Sequence, residues 1–166
     1  ELNNGHTIQV SHVSGSHVTV NDHSYKLRQF HFHAPGEHRI EHQEFPMEMH
    51  LVHQDAAGRI LVVAVLMVAD ARQPVLSGLW EWLPKSMGKD VSLPLRLNVG
   101  DLLPANTHHY RYSGSLTTPP CTEGVQWIIL KEYVHITRQE VDDFQRIIGR
   151  NARPIQPGLN RAVEDH

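Results

Sequence analysis

The sequence predicts a single domain, mainly β with two or three short helices (α+β). Three observations carry this. Apolar and polar residues alternate through much of the first half, one β-branched run is apolar throughout, and a single stretch combines clear helical periodicity with matching end signals. The 166 residues are enough for one hydrophobic core.

Each element follows from its own pattern. "HTIQV" (6–10) alternates, with Ile8 and Val10 on one face, and "SHVTVN" (16–21) alternates again. "HSYKLRQFHFH" (23–33) carries period two up to the break at "APG". "FPMEMHLVH" (45–53) follows, with Pro46 tolerated at a strand start. "RILVVAVLMV" (59–68) has the continuous apolar character of a strand buried on both faces. "QPVLSGLWEWLP" (73–84) reads as a short helix ending near Pro84, and "VQWIILKEYV" (125–134) as one further strand. "TRQEVDDFQRIIG" (137–149) is the clearest helix. Thr137 and Glu140 have capping-box spacing, Val141, Phe144, Ile147 and Ile148 form its apolar stripe, and Gly149 supplies the stop. Pro94, Pro104, Pro119 and Pro120 mark loops, and no repeat or low-complexity tract interrupts the domain.

Composition narrows the function. Hydrophobic residues make up 40% and charged residues 20%, as in ordinary globular proteins. A net charge of −3 argues against nucleic acid or an anionic membrane as partner. The longest apolar run, Ile60 to Ala69, is too short to span a bilayer. Histidine is the outlier: its 14 copies nearly equal the 15 Lys plus Arg, and neutral imidazole is the commonest metal ligand. Cys121 is the single cysteine, which excludes an intrachain disulfide and a cysteine-rich zinc framework.

Strand geometry turns the histidines into a constellation. Residues i and i+2 share a face, so Gln29, His31 and His33 point one way, and Phe30 and Phe32 the other. The same parity sets Glu48, His50 and Val52 together, with Met49, Leu51 and His53 opposite. If the two strands pair, His50 completes a three-histidine set, and Gln29 and Glu48 each stand two residues before a candidate ligand, placed to accept its second N–H. Three neutral histidines with an open fourth position suit a catalytic zinc better than a structural one. By spacing alone, an H-x-H pair in so histidine-rich a chain also reads as surface decoration, and both readings stand at this point.

Two further segments carry a resemblance. "LNNGH" (2–6) and "SLTTPPCTEGVQW" (115–127), with "QFHFHAPGEH" (29–38), "FPMEMHLVH" and "NARPIQPGLNR" (151–161), resemble the signature segments of the α-class carbonic anhydrases, in family order, over essentially the whole of residues 1–166. The bacterial, secreted branch is the most similar. The resemblance implies a large twisted, mostly antiparallel central sheet and one catalytic domain. It implies Zn²⁺ held by His31, His33 and His50, and reversible hydration of CO₂ to bicarbonate and a proton by zinc-bound hydroxide. In that family pattern Thr117 orients the hydroxide and Glu37 receives the threonine proton. Val52, Val62, Leu116 and Trp127 match the apolar wall for CO₂. His6 matches the proton shuttle, and Asn4, Gln9 and Thr118 match positions that hold the connecting waters. Gln9 departs from the asparagine usual there.

The resemblance further implies binding of anions and sulfonamide-type inhibitors, and a periplasmic or secreted location. It is compatible with a homodimer. The family's usual segment before "NNGH" is missing from this sequence, which starts at Glu1 without a signal segment. A processed or truncated start is therefore expected, with a free thiol at Cys121, an exposed sheet edge and lower stability than a full-length relative. Three alternatives remain beside the enzyme. These are a binding module that has lost its metal, a structural or storage zinc protein, and a zinc hydrolase acting on esters.

Overall fold

The computed structural model describes residues 2–3 (as backbone), 6–11, 15–86, 91–92 and 97–166. Its elements in chain order are β1 (Leu2–Asn3), β2 (Ile8–Ser11), β3 (His17–Val20), β4 (His23–His33), β5 (Met47–Gln54), β6 (Ile60–Ala69), α1 (Pro74–Trp80), β7 (His109–Ser115), β8 (Glu123–Leu130), β9 (Val134–Ile136), α2 (Arg138–Ile148) and β10 (Glu164–Asp165), with a 3-10 turn at Val99–Leu102 before β7. The strands form one sheet in the order β1-β2-β4-β5-β6-β8-β7-β10, with β3 also paired to β4 and β9 to β6. All pairings are antiparallel except β6 with β8 and β6 with β9, so the sheet is mostly antiparallel, as expected. No helix is long and apolar enough to cross a membrane.

β6 divides the core in two. Leu61, Val63, Val65 and Met67 face one apolar cluster, which also takes Phe30, Phe32, Met49 and Leu51 from β4 and β5, Leu76 and Leu79 from α1, and Val141 and Phe144 from α2. Val62, Ala64 and Leu66 face a second cluster with Phe45, Val125, Trp127 and Ile129. This explains why β6 is apolar at every position: period two has no polar side to show. The helices cover the first cluster. The candidate site lies on the second face, opposite them.

Four local readings of the sequence need correction. Period two does not run unbroken through β4, because the register with β5 shifts between Leu27 and Gln29. This bulge moves the alternation by one residue, so Tyr25 and Leu27 share the core with Phe30 and Phe32. The helix expected to end near Pro84 stops at Trp80, and Trp82 N and Leu83 N then bond three residues back, to Leu79 O and Trp80 O. The tightened turn suits a chain that must leave the helical region before a proline. The stretch 125–134 is two strands, β8 and β9, which pair in tandem with the two halves of β6. β7 was not expected, since "HYRYSGS" lacks an apolar alternation. Its Tyr110 and Tyr112 are only partly buried against the second cluster, and its backbone pairing to β8 defines it.

The helical end signals of α2 hold. Thr137 Oγ1 accepts from Glu140 N at 3.2 Å, Glu140 Oε2 accepts from Thr137 N at 2.8 Å, and Gly149 follows with φ 83°. Cys121 is a free thiol, partly buried.

Candidate metal centre

Strand register brings the three histidines together. In the β4–β5 ladder His31 is directly opposite His50, and His33 is opposite Glu48. The imidazole centroids are 5.0 Å apart for His31 and His33, 5.3 Å for His31 and His50, and 4.6 Å for His33 and His50. Each ring offers a nitrogen within 4.8 Å of the other two.

The other nitrogen of each ring is engaged. Gln29 Oε1 lies 2.8 Å from His31 Nδ1. Glu48 Oε1 lies 2.7 Å from His50 Nε2. The main-chain oxygen of Asn151 lies 3.2 Å from His33 Nδ1. Such acceptors hold the proton on the outward nitrogen and leave the inward one as a lone pair. The inward set is therefore Nε2 of His31, Nε2 of His33 and Nδ1 of His50. His33 Nε2 is buried with no hydrogen-bond partner, an arrangement that costs free energy in a protein without a ligand there. Burial, aided by the charge of neighbouring His50, pushes His33 down to about 4, and burial likewise holds His31 well below its ordinary value. Both rings are neutral at neutral pH. Three neutral, inward nitrogens on one side fit a tetrahedral Zn²⁺ with one position left over.

Glu48 does more than steady His50. Its side chain is fully buried and accepts four hydrogen bonds. Oε2 takes Glu37 N at 2.7 Å and His38 N at 2.8 Å, and Oε1 lies 2.5 Å from His38 Nδ1 as well as against His50. Burial works against its charge, but His38 and His50 outweigh burial and hold Glu48 well below the usual carboxylate range. Burial alone lowers the His38 pKa; the adjacent Glu48 more than reverses this and leaves it raised. His38 Nε2 then meets the Tyr112 hydroxyl at 2.7 Å. His38 and Tyr112 were not among the expected site residues. His38 stood in "APGEH" without an assigned role, and nothing in the local pattern of "HYRYSGS" marks Tyr112.

Glu37 sits on the loop that Glu48 clasps. Its Oε1 accepts from Arg153 N at 2.7 Å and lies 3.3 Å from His33 Nδ1, while buried Oε2 has no hydrogen-bond partner and lies 4.0 Å from His50 Nδ1. Among the described residues no hydrogen bond joins Thr117 to Glu37. Thr117 is half-buried in the loop after β7, and Thr118 beside it is exposed.

The apolar residues gather on the same face. Val52 is opposite Val62, Val62 is beside Trp127, and Leu116 packs on the same cluster. The Trp127 ring lies 4.9 Å from His50, and its Nε1 donates to Ser115 O at 3.0 Å. His6 is exposed two residues before β2, and Gln9, opposite His31 in the ladder, turns its amide to Ser11 Oγ at 2.7 Å. Asn4 lies outside the described residues. His53 faces the other core, as its parity requires, with Nδ1 donating to Leu51 O at 2.9 Å.

The chain is similar to known proteins in sequence and fold. The family model for eukaryotic-type carbonic anhydrase matches residues 1–166. A carbonic anhydrase of Neisseria gonorrhoeae is 48% identical over 97% of this chain and 64% of its own length, so the chain spans a little under two thirds of that relative. A carbonic anhydrase of Pectobacterium atrosepticum is 39% identical over 98% of this chain and 67% of its own length. Among solved structures, the α-carbonic anhydrase of Thermovibrio ammonificans, in complex with the inhibitor sulfanilamide, superposes with a TM-score of 0.95 at 43% identity, covering 98% of this chain and 72% of that one. That of Photobacterium profundum gives 0.94 at 40% identity, covering 98% and 75%.

Proposed function

Because this chain belongs to the eukaryotic-type carbonic anhydrase family, we propose that it catalyses the zinc-dependent, reversible hydration of CO₂ to bicarbonate and a proton. The observation that carries this is the histidine set: three inward imidazole nitrogens, each with its opposite nitrogen held by an acceptor. His31, His33 and His50 would hold the zinc. When bound it acts as a Lewis acid that makes a nucleophile from water at neutral pH, as is known for carbonic anhydrases.

The chain's own residues supply the rest. Gln29, Glu48 and the Asn151 carbonyl keep the ligating nitrogens deprotonated and aimed inward. Thr117 orients the attacking oxygen through its hydroxyl, and the unpartnered Glu37 Oε2 is the acceptor that keeps the Thr117 proton turned away from it. CO₂ is small and apolar, so it needs a surface rather than polar contacts. Val52, Val62, Leu116 and Trp127 provide that surface beside the histidines. His6 carries the released proton to solvent through waters held by Gln9, Asn4 and Thr118. The sulfanilamide complex of the Thermovibrio relative supports binding of sulfonamide-type inhibitors, and small anions are proposed as ligands with them. The likeness to the secreted bacterial branch supports a periplasmic or secreted location, and a homodimer is open to test by sedimentation.

The test is stopped-flow CO₂ hydration on metal-analysed protein, with His50→Ala as control. Zinc-dependent hydration that His50→Ala abolishes is the expected result. A folded, zinc-loaded sample without hydration would sink the proposal.

A further inference from the structure

Asn151 stands where the β2–β4 ladder runs out. Pairing stops at Gln9 and His31, so the main-chain groups of Phe32 and Ala34 on that side need other partners. Asn151 supplies them. Its Nδ2 donates to Phe32 O and to His6 O, both at 2.9 Å, and its Oδ1 accepts from Ala34 N at 2.8 Å. Thr7 grips the same residue from the other chain segment. Thr7 Oγ1 donates to Phe32 O at 2.6 Å and accepts from Phe32 N at 3.3 Å. Phe32 lies between the two metal-facing histidines of β4. Two side chains therefore tie residues 6 and 7 to the peptide units that carry His31 and His33.

Only a carboxamide serves at position 151, because two N–H donors and one acceptor are all used. An aspartate would lose both donors. The main-chain oxygen of the same residue faces His33 Nδ1 at 3.2 Å.

We propose that Asn151, with Thr7, is a positioning clasp that fixes the His6 segment to the metal-binding strand and thereby sets the rate of proton export. This rests on the reading of His6 as proton carrier. Proton transfer through a water path depends steeply on distance, and a His6 segment cut loose from β4 spends less time in register with the site.

The test compares zinc-loaded full chain with Asn151→Ala, Asn151→Asp and the milder Thr7→Val. In weak buffer kcat falls about tenfold for both Asn151 variants and about threefold for Thr7→Val, kcat/KM of Thr7→Val stays within about twofold of the parent, and added imidazole restores kcat. A second arm needs no activity: in metal-free protein the His6 amide order parameter drops below about 0.6 in Asn151→Ala, from a rigid value near 0.85 in the parent. Equal loss of kcat and kcat/KM in Thr7→Val, no recovery with imidazole, or an unchanged His6 order parameter would each overturn the clasp. If the parent itself hydrates no CO₂, the functional proposal fails, and the order parameter alone decides whether Asn151 holds His6.

Discussion

Glu48→Gln tests the most heavily used side chain of the site. The carboxylate accepts from Glu37 N, His38 N, His38 Nδ1 and His50 Nε2, two donors on each oxygen, with no exposure to water. Glutamine keeps one oxygen, so two donors come to face an amide NH₂. A hydrogen bond to a charged acceptor contributes about 1.5–3 kcal/mol, so losing two costs roughly 3–6 kcal/mol. Neutralising a buried carboxylate also removes its desolvation penalty, which places the net loss near the lower end, about 3 kcal/mol. Urea unfolding of metal-free protein near neutral pH measures this. Zinc affinity, read by chelator competition, falls about 10- to 100-fold because His50 loses its orienting acceptor. A loss below about 1 kcal/mol with unchanged zinc affinity would refute the view that Glu48 ties the Glu37 loop to the metal strands.

Three further outcomes are expected. His6→Ala slows turnover in weak buffer and recovers with imidazole, and unchanged turnover removes His6 from the proton path. Buried His53 has a pKa held below 6.5, so it is neutral in both states above that value and binds a proton only when unfolded as pH falls. Metal-free protein therefore loses stability on acidification below 6.5, His31 and His33 acting in the same direction, and His53→Leu makes this limb shallower in urea midpoints taken across the range. A Cβ at Gly114 would stand 2.8 Å from Tyr112 Cε2 and 3.1 Å from Trp127 Cδ1, against two stacked rings. Gly114→Ala thus costs about 1–3 kcal/mol by overpacking, visible in urea unfolding followed by tryptophan fluorescence.

Local patterns sufficed where one physical rule acts along a few residues. Parity alone separated His31 and His33 from Phe30 and Phe32, and His50 from His53, because successive side chains in a strand must alternate. The capping box and Gly149 marked α2 for the same reason: its end bonds are made by neighbours in sequence. Parity failed at Arg28, where a bulge belongs to the pairing of two strands and leaves no mark on one of them. The roles of Tyr112, His38, Asn151 and Arg153 were equally invisible. Three of them meet the site across a long stretch of chain, with Asn151 and His33 118 residues apart, Arg153 and Glu37 116 apart, and Tyr112 and His38 74 apart. The chain by itself determined which side chains share a face and which residue types can bind a metal. Tertiary structure decided the rest, since register sets His50 opposite His31 and a distant segment supplies the Asn151 oxygen that aims His33. Those bonds form only when the sheet does.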